Sequence, residues 1–255
     1  MNKFVFWSVD CQKDFMDADG KLYVEGAESI KINIAKMNSL ASMYGEYKVF
    51  TKDWHTNASR ELSDDPDFIN TFPPHCLSSE NGSSLIDELS GEEFEECTTF
   101  TPESVITEKD FDNWCKKTIF FLKDNFDVFE GANSTQLGNL MADSFVRSID
   151  VDTYVVYGVA TNVCVNFAVK GLCERGKNVI VVVDAIKELP GIPLDNMLQE
   201  WRNWGVEFVA LNLKQIDGNA VYQWVVERTD RGSVYDITSH LGFISDKKEP
   251  LVTNG

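Results

Sequence analysis

The chain has 255 residues, 43% of them apolar and 12% aromatic, enough to build a large core and to exclude wholesale disorder. Its formal net charge of −18 repels phosphate backbones and anionic lipid, so nucleic acid and membrane surfaces drop out as partners. No apolar run approaches the ~18 residues of a membrane span.

Phe4 to Val9 is apolar on both alternating faces and predicts a strand covered by helices on both sides. Charged residues follow at Asp10, Lys13 and Asp14 with no small-residue cleavage site, so this start reads as a buried strand rather than a signal peptide. Ile30, Ile34, Met37 and Leu40–Ala41 recur at helical spacing, and Tyr47 to Thr51 predicts a second strand. Residues 52–80, with Pro66 and Pro73-Pro74, predict irregular structure. A third strand covers Thr118 to Leu122, then a helix through Leu137, Leu140–Met141 and Phe145, with Ser134 as its candidate N-cap. Tyr154 to Gly158, a helix from Asn162 to Glu174, Asn178 to Val183, a helix around Leu194–Trp204 and Val206 to Val209 complete the pattern. A further helix is expected over Lys214 to Val226, and a frayed end from Lys247 to Gly255.

Strands alternating with helices of this length predict an α/β fold: a mostly parallel six-stranded sheet with helices on both faces, in three layers. One domain over 1–255 is expected, with an acidic insertion at about 77–117 and a C-terminal extension at about 211–255. The six cysteines (11, 76, 97, 115, 164 and 173) are scattered without a CxxC, which predicts free thiols and a cytoplasmic setting.

In such sheets ligands gather beyond the carboxyl ends of the strands. Asp10, Asp53 and Lys123 fall at strand ends, and Cys164 follows the small-residue turn after another. Any one of them alone could simply end a strand. Together, an acid, a lysine and a thiol make a nucleophile with its base and an electrostatic helper. Cys164 is expected to open a helix, whose N-terminus favours thiolate, with Cys173 nine residues on as a buried control. Asp53 and His55 share one side of an extended segment, and His75 lies in the same polar region, a combination suited to a cation with open positions.

These residues resemble the isochorismatase-like cysteine hydrolases, and within them the nicotinamidases. Ser8-Val9-Asp10-Cys11-Gln12-Lys13-Asp14-Phe15 is similar to the family's V-D-x-Q-x-D-F; Asp53-Trp54-His55 and Phe72-Pro73-Pro74-His75-Cys76 resemble its D-W-H and W-P-x-H-C elements. Gly158-Val159-Ala160-Thr161-Asn162-Val163-Cys164-Val165 resembles the nucleophile motif G-x-A-T-x-x-C-V, and Asp184-Ala185 also fits. The resemblance implies an Asp10–Lys123–Cys164 triad, a cis peptide between Val159 and Ala160, and an oxyanion hole from the backbone N–H groups of Ala160 and Cys164. It implies one divalent ion, zinc before iron or manganese, on Asp53, His55 and His75. Nicotinamide would be the small-molecule substrate, held by its ring nitrogen on the ion and walled by Phe15 and Phe72, with Phe129 as a third wall.

Three departures stand out. Glu61 occupies a position where many nicotinamidases carry a further histidine and is a candidate fourth ligand, Phe72 replaces a tryptophan, and the insertion and tail have no counterpart. The expected reaction is hydrolysis of nicotinamide to nicotinate and ammonia through a thioester. The alternatives are a related amidase for another small carboxamide or ureido compound, or a non-catalytic scaffold; a metal-free isochorismatase ranks lower because that chemistry needs no nucleophilic cysteine. A homo-oligomer is left open.

Overall fold

Phe4–Val9 forms β1, in which every residue after Phe4 is buried. The remaining strands, in chain order, are β2 (Tyr47–Asp53), β3 (Cys97–Phe100), β4 (Thr118–Lys123), β5 (Thr153–Val159), β6 (Asn178–Lys187), β7 (Glu207–Ala210) and β8 (Tyr235–Asp236). They make one sheet in the order β3-β4-β2-β1-β5-β6-β7-β8, and every pairing is parallel. The computed structural model describes residues 4–94, 97–101, 116–130, 140–213, 216, 218–228 and 234–241. Ser134, Leu137, Cys115 and the 247–255 end lie outside the described residues.

The sheet has eight strands, not the expected six. β3 comes from the segment read as an acidic insertion and β8 from the segment read as an extension. Four residues of Cys-Thr-Thr-Phe and two of Tyr-Asp are too short for hydrophobic periodicity to register. β6 also runs four residues beyond the expected Val183, because its pairing with β5 shifts register between Val156 and Gly158.

The helices supply the outer layers. Lys31–Tyr44 buries Ile34, Met37 and Ala41, a helical stripe, and ends on Gly45 at φ 65°. Leu140–Ser148, Asn166–Glu174, Asp195–Asn203 and Ala220–Arg228 are the other helices of nine residues. The last of these starts six residues later than the expected Lys214. Among the described residues, no helix is long and apolar enough to cross a membrane.

One consequence of the topology locates the chemistry. β1 is flanked by β2 on one side and β5 on the other, so the chain order reverses there. A crevice opens beyond the carboxyl ends of the strands at such a switch point.

Candidate active site

Strand register sets the site. Val9 pairs with Thr51 on one side and Gly158 on the other, and Asp53 pairs with Lys123. The residues just past Val9, at Asp53 and at Lys123 therefore share one edge. Gly158 has φ 122°, and a Cβ there would lie 2.0 Å from the Val9 carbonyl oxygen, so only glycine lets β1 and β5 close at this point. Asp10 turns out of β1 with φ 47°. Its Oδ1 accepts from Thr51 Oγ1 at 2.6 Å and its Oδ2 meets Lys123 Nζ at 2.8 Å.

Lys123 Nζ is the hub. Fully buried, it donates to Asp53 Oδ1 and lies 3.6 Å from Cys164 Sγ. Cys164 belongs to a wide π-type turn over Thr161–Val165 that feeds the Asn166–Glu174 helix, and the preceding Val159–Ala160 peptide is cis. The residue is only 7% exposed, yet it lines the cleft described below, so the exposed fraction faces substrate space.

Burial disfavours the Lys123 ammonium, but Asp10 and Asp53 outweigh that and hold it well above its ordinary value. Asp53 is also penalised by burial; Lys123 and the two imidazoles more than offset this and keep it well below the usual carboxylate range. Asp10 goes the other way, raised by burial against the pull of Lys123, with Asp53 adding to the rise. Burial pushes the Cys164 thiol up despite Lys123. Burial thus opposes the thiolate that the helix terminus and Lys123 would favour. A neutral thiol sits instead beside a carboxylate made more basic, which is a nucleophile–base arrangement. Cys173, the control, is half-buried inside its helix and pushed up to about 11 by burial, with Glu174 adding to the rise.

The second cluster grows from the same Asp53. Its Oδ2 lies 3.6 Å from His55 Nε2 and 3.5 Å from His75 Nε2, and the two rings are 4.9 Å apart. Each imidazole uses Nδ1 elsewhere: His55 to Asp124 Oδ1 at 2.9 Å, His75 to the Pro73 carbonyl oxygen at 2.7 Å. Both partners accept only, so Nδ1 carries the proton and Nε2 presents a lone pair in the neutral ring. Burial opposes charging His55, but the neighbouring Asp124 and Asp53 carboxylates outweigh that and hold it up at about 9. His55 Nε2 is buried without a hydrogen-bond partner. Two lone pairs and a carboxylate oxygen, mutually within 4.8 Å, fit a divalent cation.

Glu61 does not join this cluster. Its Oε1 accepts from Phe126 N at 2.8 Å, while Oε2 is buried and unpartnered. Burial pushes its carboxyl up to about 8, with Asp53 adding to the rise. The cleft is lined by Phe15, Phe72 and Phe126, by Leu22, Val24 and Leu189, and at its floor by Asp53, His75, Ala160, Val163 and Cys164. Phe129 is not a wall. It stacks on Trp7 at 5.9 Å beneath the Arg175 guanidinium, and the aromatic third wall is Phe126, in edge contact with Phe72 at 5.6 Å.

Sequence reasoning also missed the residues that hold the site in place. Gln12 accepts from Asp53 N and donates to the carbonyls of Asp53 and Ser83, locking the end of β2. Asn162 donates to the carbonyls of Leu189 and Ile192 and accepts from Leu189 N, which pins one wall of the cleft. Polar residues beside motif positions were the available signal; which backbone groups they reach depends on the fold.

Comparison with known proteins agrees with this layout. Residues 116–210 match the isochorismatase domain family. A nicotinamidase/pyrazinamidase from Mycobacterium tuberculosis is 28% identical over 204 residues, 79% of this chain and 96% of that protein. The crystal structure of a pyrazinamidase/nicotinamidase from Streptococcus mutans superposes with a TM-score of 0.57 at 25% identity, over 80% of this chain and 99% of that one. The pyrazinamidase of Pyrococcus horikoshii, solved in complex with zinc, shares the fold at TM-score 0.58 and 20% identity, over 80% of this chain and 97% of that one. By domain match, relative and fold together, residues 116–210 carry an isochorismatase-domain match and most of the chain is similar to nicotinamidases.

Proposed function

We propose that the chain is a metal-containing cysteine amidohydrolase that converts nicotinamide to nicotinate and ammonia. The observation that carries this reading is the shared Asp53. One oxygen engages the lysine of the Asp10–Lys123–Cys164 group; the other faces both imidazole lone pairs, in a cleft also lined by Phe15, Phe72 and Phe126. Similarity to the nicotinamidase/pyrazinamidase of M. tuberculosis supports the substrate class.

In this reading Asp53, His55 and His75 hold the ion, and two imidazoles with one carboxylate suit zinc and leave positions open. The bound ion supplies a Lewis-acidic point that receives the ring nitrogen of the substrate. The chain's residues do the rest. Phe15, Phe72 and Phe126 exclude water and align the ring. Asp10 takes the Cys164 proton, and Sγ attacks the carboxamide carbon. The N–H groups of Ala160 and Cys164 receive the oxyanion; one such donor is typically worth about 3–4 kcal/mol of barrier. Asp10 returns the proton to the departing nitrogen, the C–N bond breaks, and ammonia leaves a thioester. Water then attacks the thioester and Asp10 takes its proton, passing it to Sγ as the C–S bond breaks; this restores the thiol and releases nicotinic acid, which ionises to nicotinate. Lys123 stabilises the sulfur anion at both stages.

The test is ammonia release from a panel of small amides, with and without a chelator. Nicotinamide should be turned over, benzamide poorly because it lacks the ring nitrogen, and chelation should suppress the nicotinamide rate. A preference for a ureido compound over nicotinamide would move the chain to a sister amidase, and no release from any amide would leave a scaffold.

A further inference from the structure

Lys123 is followed directly by Asp124, and the two residues face different halves of the site. Lys123 serves the sulfur; Asp124 Oδ1 accepts from Nδ1 of His55 at 2.9 Å and also from the Ser59 hydroxyl. The Ser59 oxygen in turn accepts from Thr56 N at 2.9 Å, so the segment carrying His55 is tied to the end of β4. The other imidazole has a different arrangement. His75 donates to a neutral carbonyl, that of Pro73, two residues away in its own loop.

A carboxylate behind a ligating histidine fixes the tautomer and the ring orientation and makes the far nitrogen a stronger donor. We propose that Asp124 is a positioning residue for the cation, setting how tightly His55 holds it, while His75 Nδ1 is met by a carbonyl of its own loop. This rests on the reading that Asp53, His55 and His75 bind the ion, and on this chain's own geometry for the role of Asp124.

The test uses the full-length protein, stripped of metal and titrated with zinc against a chromogenic chelator, and with cobalt(II) followed by its visible spectrum. Asp124→Ala should bind zinc ~10–100-fold more weakly than wild type. Asp124→Asn, whose amide oxygen can still accept from Nδ1 but lacks the charge, should show a loss toward the lower end of that range. The cobalt spectrum of the alanine variant should shift as the His55 ring loses its anchor, and the melting temperatures of the metal-free proteins should change little. If either variant that folds binds zinc with wild-type affinity, the inference is overturned. A lowered metal-free melting temperature with unchanged affinity also overturns it, since Asp124 would then serve packing only. A wild-type protein that takes up no ion would remove the metal reading itself, an outcome distinct from a wild type that binds and variants that bind equally well.

Discussion

Replacing Lys123 with methionine should expose what its charge holds together. Methionine keeps much of the length and apolar stem but leaves Asp10 and Asp53 as buried carboxylates without their shared cation. At 2.8 Å and an effective dielectric near 20, the Lys123–Asp10 attraction is about 6 kcal/mol before desolvation is subtracted. Oxygens of Asp10 and Asp53 lie within 4.8 Å of each other, a repulsion of about 3.5 kcal/mol on the same scale if both stay ionised. Breaking such a buried group costs about 3–5 kcal/mol net. The pH dependence carries the sign. In the variant both carboxyls are raised above their unfolded values, so the penalty is absent below about pH 4 and grows as pH rises. In the wild type, Asp53 is depressed and stabilises the fold above the unfolded value, a contribution lost as pH falls. Both effects widen the gap between the two proteins toward neutrality. Denaturant unfolding of the metal-free proteins at pH 5 and pH 7.5 measures it. A difference under 1 kcal/mol at pH 7.5, or one equal at both pH values, would refute the idea that Lys123 is the shared counterion.

Cys164→Ala should abolish ammonia release while zinc content stays at the wild-type level; retained turnover would remove the covalent route. Gly158→Ala should destabilise the fold by about 3 kcal/mol or more, because the new Cβ meets the Val9 carbonyl at 2.0 Å in a conformation that disfavours side chains; an unchanged unfolding midpoint would contradict the strand register. Glu61, raised to about 8, makes the protein lose stability between about pH 4.5 and pH 8, where the unfolded chain ionises this carboxyl and the folded one does not. Glu61→Gln keeps an acceptor for Phe126 N and should flatten that slope in unfolding curves taken across the interval.

The six central strands and the four strand-end residues were readable because buried parallel strands are continuous apolar runs that stop abruptly at polar side chains. Position in chain order was enough to group Asp10, Asp53 and Lys123, which follow from the parallel register, with Cys164, which lies in the turn after β5. What escaped depends on turns. Phe126 and Phe129 lie in the same loop after β4, and composition cannot say which one faces the cleft. Glu61 accepts from Phe126 N and Asp127 Oδ1 from Phe129 N, so one long-range and one local hydrogen bond hold the two residues. Glu61 itself was placed by its distance from Asp53 along the chain, but its carboxyl turns to that backbone N–H. The acidity of Cys164 was read from a helix terminus and Lys123, whereas in the fold burial raises the thiol despite Lys123. β3 and β8 were invisible because edge strands of four and two residues carry almost no pattern.

Asp53 spends one oxygen on the ammonium and the other toward the imidazole pair, and no other side chain of that length offers two equivalent acceptors. Asparagine would aim hydrogens at one neighbour or the other. On the proposed reading, sulfur reactivity and cation retention are therefore yoked at a single carbon, and a change at this corner reaches both while a change in the aromatic walls need not.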